Sequence, residues 1–162
     1  MSCVIGNGVA RVKETGSDDL GRWTYIKLAG KDNKVITVIT VYQVCNKPMT
    51  AITLDKCTAH AQQRSLLIQR KKQDTSPRKH FRKDLGVFLS GCKTRGELIV
   101  LSGDFNEVFG SVSSGISKIA REYDLVDVMH DTHHLPDPAT YARGRHRLDY
   151  VLASPLIFKA VT

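Results

Sequence analysis

The chain has 162 residues, a hydrophobic fraction of 41% and a charged fraction of 25%, which are typical of one folded domain and exclude a disordered or fibrous protein. Its start has no basic segment followed by an apolar core, and no run reaches about 18 apolar residues, so we expect an intracellular protein, nuclear or cytoplasmic, without a membrane partner. The formal net charge of +8 at pH 7 favours nucleic acid as a partner.

Two neighbouring segments predict a β-hairpin near the start. Residues 22–28 alternate Trp23 and Tyr25 with polar neighbours, and residues 31–34 then supply turn-forming side chains. Residues 35–41 are a run of Val, Ile and Thr, which is typical of a central strand with little exposure on either face. The following residues, 43–56, show no period and predict a loop.

Two helices are predicted next. Thr58 suits the N-cap of a helix that reaches about Gln73, and Pro77 suits the first turn of a second helix. The second helix has an apolar stripe with helical spacing that consists of Phe81, Leu85, Phe88 and Leu89.

These helices share a basic band. From Arg64 to Lys83 the sequence has eight Lys or Arg residues against a single acidic residue. Such a band favours binding to nucleic acid, with Arg70, Lys71 and Lys72 as candidate contacts. A solvated helix face without a partner is the alternative explanation.

A strand that ends in polar residues is predicted around residue 100. The apolar run 98–101 leads into Ser102-Gly103-Asp104-Phe105-Asn106. Open α/β sheets usually place their chemistry at the carboxyl ends of strands, and an acid two residues from an amide can handle a metal-bound phosphate. The same residue types also form ordinary Asx-stabilised turns, so the motif alone leaves both interpretations open.

The last third of the chain contains a histidine-rich segment. Residues 111–114 predict a loop, residues 116–123 a helix, and residues 125–128 lead into a polar loop. The loop has the ligand types of a transition-metal site but no regular spacing such as H-E-x-x-H, so a polar surface loop is favoured. Its titratable residues are His130, Asp131, His133, His134 and Asp137.

A second acid lies in the final predicted strand, 147–153, which begins Arg147-Leu148-Asp149-Tyr150. Directly before it, Arg143 and Arg145 form a basic cluster together with His146 and Arg147. Guanidinium groups there could contact phosphates bidentately, or the cluster could be a solvated hairpin tip.

The four cysteines are scattered and form no C-x-x-C pair. This argues against both a zinc knuckle and a compact disulfide framework. We therefore expect reduced, mostly buried thiols.

Three segments in this order resemble signatures of the endonuclease/exonuclease/phosphatase superfamily, which includes DNase I-like nucleases, apurinic endonucleases and retroelement endonuclease domains. Residues 38–42 resemble its strand that ends in tyrosine, residues 102–106 its Gly-Asp-Phe-Asn signature, and residues 140–141 with 147–152 its late Arg-Ile/Leu-Asp-Tyr strand. The resemblance implies an α/β (α+β) fold of two packed β-sheets flanked by helices, a four-layer α/β/β/α sandwich, here incomplete and in one domain over residues 1–162.

The resemblance also implies a hydrolase of phosphodiesters or phosphomonoesters that uses Mg²⁺ or Mn²⁺. Asp104 would orient or deprotonate the attacking water, while Asn106 and Tyr42 would hold the scissile phosphate. Asp149 would match the acid that orients a catalytic histidine. Asp104 and Asn106 are also possible metal ligands.

Two features of the superfamily have no counterpart in this sequence. Its catalytic histidine lies in a Ser-Asp-His motif after the strand of Asp149, and its metal-binding glutamate lies on an early strand that the surroundings of Glu14 do not resemble. We therefore expect a fragment that is truncated at both ends and lacks the main metal ligand. The chain as written should have little or no hydrolytic activity.

Several functions stay open. The first is a fragment of a metal-dependent endonuclease of the retroelement type, because the basic balance favours nucleic acid over inositol phosphates or sphingolipids. The alternatives are a non-catalytic nucleic-acid-binding module, a retroelement remnant without a selected function, and a phosphatase of the same superfamily.

Overall fold

A mixed six-stranded β-sheet is the centre of the fold. The computed structural model describes residues 4–45, 58–110, 115–133, 138–140 and 144–161. The strands follow the order β1-β2-β3-β4-β6-β5; β3 and β4 are parallel, and the other neighbouring pairs are antiparallel. They comprise β1 (Val12–Ser17), β2 (Trp23–Ala29), β3 (Val35–Tyr42), β4 (Leu98–Asp104), β5 (Val126–Asp127) and β6 (Asp149–Ala153).

Helices accompany this sheet. They are α1 (Ala59–Gln69), α2 (Pro77–Thr94), α3 (Gly115–Glu122), α4 (Val128–His133) and α5 (Pro155–Val161), with two 3₁₀ segments at Gly6–Arg11 and Lys31–Asn33. Within the described ranges, none of these helices is long and apolar enough to cross a bilayer.

Local sequence explains where these elements begin and turn. The predicted hairpin is confirmed as β2 and β3, and the connection between them places Asp32 and Asn33 at positive φ, which these two residue types tolerate. Helix α1 begins after Thr58, whose hydroxyl accepts a hydrogen bond from the Ala61 amide at 3.2 Å. Helix α2 begins at Pro77, as predicted.

The core lies on one face of the sheet, where α2 and α3 pack. Alternation along β3 and β4 sends Ile39, Val41, Ile99 and Leu101 to this face, where they are buried. The predicted helical stripe meets them, because Phe81, Leu85 and Leu89 are fully buried and Phe88 packs against the cluster. We call this side the helical face of the sheet and the other side the open face.

The structure differs from the predicted elements in several places. Strand β1 and helix α5 were not predicted, because their short mixed sequences show no clear period. Residues 128–133 form helix α4 where a loop was expected, so that prediction was wrong. The α/β class is confirmed, and the described residues account for one of the two predicted sheets.

Candidate active site

Three of the predicted site residues form a single row across the sheet. In the parallel pair β3–β4, Tyr42 is the register partner of Asp104, and in the antiparallel pair β4–β6, Asp104 is the partner of Asp149. Residues that face each other across neighbouring strands project to the same face. Because Val41 and Tyr150 are buried on the helical face, the row projects from the open face, at the carboxyl ends of β3 and β4.

Asn106 joins this row through the turn that follows β4. Its backbone amide donates to Asp104 Oδ1 at 2.8 Å, and its side-chain Nδ2 donates to Asp104 Oδ2 at 3.0 Å and to the Gln43 carbonyl at 2.8 Å. Asn106 adopts a φ of +46°, which asparagine tolerates better than most residues. The motif is therefore both an Asx turn and part of the site; the two interpretations do not exclude each other.

The environment changes the acidity of two residues in the row. Burial raises the pKa of Asp104, and the nearby Asp149 carboxylate raises it further, while the hydrogen bonds from Asn106 act in the opposite direction. Burial also raises the pKa of Tyr42, with a contribution from Cys45. Asp104 is thus a better proton acceptor than an ordinary aspartate, and the Tyr42 phenol keeps its proton as a donor.

A partly buried ion pair supports the loops that carry Tyr42 and Asn106. Arg78 donates to the carbonyl oxygens of Val44 at 2.7 Å and Asn106 at 3.2 Å, and to Glu107 Oε2 at 2.7 Å. The same Glu107 oxygen accepts from Gln43 Nε2 at 3.0 Å. Burial lowers the pKa of Arg78, which the Glu107 carboxylate partly offsets. Arg78 therefore ties the two loops to the first turn of α2.

Gly103 allows β3 and β4 to approach each other directly beside the row. It has a φ of +140°, and a Cβ added here would overlap the carbonyl oxygen of its register partner, Val41. Only glycine fits this position without displacing a strand.

Side-chain hydrogen bonds of Thr140 and Tyr150 hold the start of strand β6 in position. Thr140 Oγ1 accepts from the Leu148 amide at 2.9 Å and from the Asp149 amide at 3.2 Å. The Tyr150 hydroxyl donates to the Arg147 carbonyl at 2.6 Å and accepts from the Phe109 amide at 2.8 Å. These contacts fix the start of the strand and with it the position of Asp149.

The predicted basic contacts do not converge on this row. Arg70, Lys71 and Lys72 lie at the end of α1 and beside α2, on the helical face of the sheet. Arg145 is exposed just before β6, and Arg143 lies outside the described residues.

The prediction that the whole basic cluster before β6 could bind phosphate is wrong for Arg147. Its side chain is buried, is ion-paired with Asp127, and lies over the Tyr150 ring with the guanidinium carbon 4.5 Å from the ring centroid. Arg147 therefore belongs to the core.

Two further residues near the site had no distinctive signal in the sequence. Arg78 was one of the eight basic residues in the band, and only its tertiary contacts single it out. Cys45 is exposed, contrary to the expectation of mostly buried thiols, and its Sγ lies 3.2 Å from Asn106 Oδ1. Cys92 is buried as expected.

The described residues do not complete a shell for a hard cation. Asp104 and Asp149 supply two carboxylates, but no group of three or more His, Cys, Asp or Glu side chains converges anywhere in the described ranges. Mg²⁺ prefers a near-octahedral set of oxygens. Glu14 does not contribute to such a shell. It lies on the edge strand β1, where its carboxylate accepts hydrogen bonds from Lys27 and Tyr25 of β2.

The solved structures provide the comparison, because neither the scan of protein-family models nor the search of curated proteins gives a match. The 3′ phosphatase NExo from Neisseria, bound to a product DNA hairpin, matches with a TM-score of 0.53 and 17% identity over 91% of this chain and 60% of its own. The catalytic domains of human Nocturnin and Xenopus laevis APE2 match with TM-scores of 0.47 and 0.48, at 14% and 12% identity. They cover 89% and 86% of this chain and 48% of each of those chains.

The likeness to NExo shows the fold. The chain shares the α/β fold of NExo, and this DNase I-like fold is the one that the resemblance of its signatures implied. It spans less than two thirds of the length of the solved structures given above.

Proposed function

We propose that the row Tyr42, Asp104 and Asp149, together with Asn106, is the phosphate-binding part of a hydrolase site that acts on nucleic acid. The observation that supports this is the shared register row: three residues from distant parts of the sequence project side by side from the open face. The DNA-bound state of NExo and the positive charge of the chain support nucleic acid as the substrate class.

The geometry suggests separate roles for three of these four residues. Asp104, with its raised pKa, accepts a proton from water and orients it. The exposed Tyr42 phenol donates to a phosphoryl oxygen. Both donors of the Asn106 amide are engaged by Asp104 and Gln43, so Asn106 must release one of them before it can contact a phosphate.

Metal dependence and weak activity are part of the same proposal. A divalent cation such as Mg²⁺ or Mn²⁺ would supply charge stabilisation at the phosphate, but two carboxylates alone hold it weakly. We therefore expect the 162-residue polypeptide to bind phosphate groups and to hydrolyse them slowly or not at all. Among the described residues only Asp104 and Asp149 supply carboxylates to the site, which also favours the second candidate function, a nucleic-acid-binding module without catalysis.

Two-dimensional NMR with inorganic phosphate and a thymidine dinucleotide as probes tests the site. We expect the Asn106 side-chain amide signals and the Tyr42 ring signals to shift on titration. Asn106→Asp, which replaces the amide donors with a carboxylate that repels phosphate, should weaken the Tyr42 response. Shifts confined to residues far from the row would contradict the proposal. Nicking of supercoiled plasmid in Mg²⁺ against EDTA, with DNA bearing a 3′ phosphate as a second substrate, separates hydrolysis from binding and endonuclease from phosphatase.

A further inference from the structure

The outer surface of α2 carries a basic feature that is separate from the row of Tyr42, Asp104 and Asp149. Beside the turn between α1 and α2 lies a depression of about 490 Å³, whose lining includes Lys71, Lys72, Lys79 and Lys83. A second depression of about 530 Å³ between α2 and α3 is lined by Arg82, Lys83 and Lys118, among others. Because Lys83 lines both depressions, they form one continuous surface. We call these six cations the α2 track.

Most of the positive charge on this track is uncompensated. Each acid in the two depressions already has its own cation: Asp74 binds Lys79 at 3.0 Å, Asp84 binds Arg22 at 2.7 Å and Glu122 binds Lys118 at 3.4 Å. The other four cations of the track have no ion pair within the described part of the chain, and they are Lys71, Lys72, Arg82 and Lys83.

The backbone at Lys71 adds an independent observation. Lys71 follows the C-cap residue of α1 and adopts a φ of +53°, in the left-handed region that glycine or asparagine usually occupies at this position. A long cationic side chain therefore lies where local backbone preference favours glycine. Conformations of this kind often occur where a side chain has a function.

We propose that the α2 track binds the sugar-phosphate backbone of a nucleic-acid strand on the helical face, opposite the face from which Tyr42, Asp104 and Asp149 project. From Lys79 to Ser90 along α2 the surface extends about 16 Å at 1.5 Å per residue. The phosphates of a nucleic-acid strand recur along its whole length, so a surface of this length meets more than one of them. A chain of regularly spaced charges suits such a row of cations.

The surface fits nucleic acid better than an acidic protein. Protein interfaces depend on buried aromatic and apolar anchors. Along this surface Val87 is the one large apolar side chain that is mostly exposed, at 69%, among the described residues. Tyr123 is not free to serve as an anchor, because its hydroxyl donates to the Gly86 carbonyl at 2.7 Å.

Binding of a labelled single strand tests this proposal with the full 162-residue chain. The probe is a fluorescein-labelled DNA of mixed sequence and about 20 nucleotides, followed by anisotropy in EDTA over a range of salt concentrations. The variant replaces Lys72, Lys79 and Lys83 with glutamine. We expect its affinity to fall at least about tenfold and its salt slope to fall by about 2.

A control of equal charge keeps the test specific. The variant Lys13→Gln, Lys31→Gln and Lys34→Gln removes three exposed cations from β1 and the β2–β3 connection and should change the affinity by less than about twofold. An equal loss in both variants, or no loss in the first, would overturn the proposal. So would displacement of the probe by poly-L-glutamate as effectively as by unlabelled DNA, because that result assigns the track to acidic proteins.

Lys71→Gly separates binding from folding. Glycine suits the backbone at this position, so the midpoint of thermal unfolding should stay the same or rise, while the affinity for the probe falls about threefold. The variant with glutamine at Lys72, Lys79 and Lys83 should keep the Tyr42 and Asn106 NMR responses to inorganic phosphate, so failure of the track and failure of the hydrolase site give different results. If Lys71→Gly binds the probe with unchanged affinity, Lys71 does not contribute to binding by the track.

Discussion

Asp104 and Asp149 are direct cross-strand partners at the end of the β4–β6 pair, and both side chains project from the open face. Two carboxylates in this arrangement repel each other when both are ionised. Together with burial, this repulsion keeps the pKa of Asp104 above its ordinary value.

We predict that Asp149→Asn lowers the pKa of Asp104. The substitution removes the neighbouring charge but leaves the burial in place, so the pKa should fall only part of the way towards that of an ordinary aspartate. Carbon-13 NMR titration of the aspartate carboxyls measures it. The matched control is Asp32→Asn at the opposite end of the strands, which should leave the pKa of Asp104 unchanged. An unchanged Asp104 titration in Asp149→Asn would show that the two carboxylates are not coupled.

Arg78→Met should destabilise the chain by about 3 kcal/mol. The substitution leaves Glu107 without its cation and removes the donors to the Val44 and Asn106 carbonyls. Urea unfolding measures the change. Lys79→Met, one position further along α2, removes an exposed ion pair and should stay within about 0.5 kcal/mol. Equal losses for the two variants would mean that Arg78 has no special place in the site.

Cys45 should react with iodoacetamide much faster than Cys92 in the folded chain. Cys45 is exposed, whereas Cys92 is fully buried and burial raises the pKa of its thiol to about 11. We expect a rate difference of at least about 100-fold, measured by peptide mass spectrometry. The alkyl group would lie against Asn106 and should weaken its NMR response to phosphate. Cys45→Ser, which is not alkylated, should keep that response.

The stability of the folded chain should depend on the ionisation of Glu97 at acidic pH. Burial favours the protonated form of Glu97, but hydrogen bonds from Arg95 and Thr37 outweigh it and hold its pKa at about 2. Because this pKa is below that of the unfolded chain, the stabilisation is present above about pH 4.3 and is lost as the pH falls towards 2.

Glu97→Gln tests this dependence. At neutral pH the variant should lose about 1.5–3 kcal/mol, since it weakens hydrogen bonds to a charged group, and its stability should fall less steeply below pH 4.3. Glu122→Gln, an exposed i, i+4 partner of Lys118, should change stability by no more than about 0.5 kcal/mol. Thermal unfolding between pH 2 and 7 gives both quantities. Parallel pH curves for wild type and Glu97→Gln would contradict the assignment.

Gly103→Ala should destabilise the chain by more than about 3 kcal/mol, because the new Cβ overlaps the Val41 carbonyl oxygen. Gly96→Ala provides the control: Gly96 also has a positive φ, +67°, but a Cβ there meets open space. It should cost only the backbone strain, about 1–2 kcal/mol. If both variants lose the same amount, the close approach of β3 and β4 is not the cause.

The sequence predicted the elements whose pattern is local. The Val, Ile and Thr run of β3 and the stripe beginning at Phe81 were recognisable, because alternation and helical spacing are properties of consecutive residues. Tyr42, Asp104 and Asp149 could be named individually from their motifs, but their common row depends on the register of three strands.

The rest depended on contacts between distant segments. Arg147 looked like its basic neighbours, and only its pairing with Asp127, 20 positions away, places it in the core. Arg78 was likewise hidden in the basic band until the fold brought it to Asn106. Helix α4 is polar and short, so neither periodicity nor composition distinguishes it from a loop.

Gly103 and Asp104 are adjacent, yet the structure constrains the two positions for different reasons. Gly103 is required for the spacing between β3 and β4. At position 104 an asparagine could keep the Asx turn, so a carboxylate there is required only by the proposed chemistry. In a lineage that lost hydrolysis but kept the fold, the glycine would persist while the aspartate drifted. The aspartate, and not the glycine beside it, is therefore the position to follow among relatives when inherited architecture has to be separated from maintained activity.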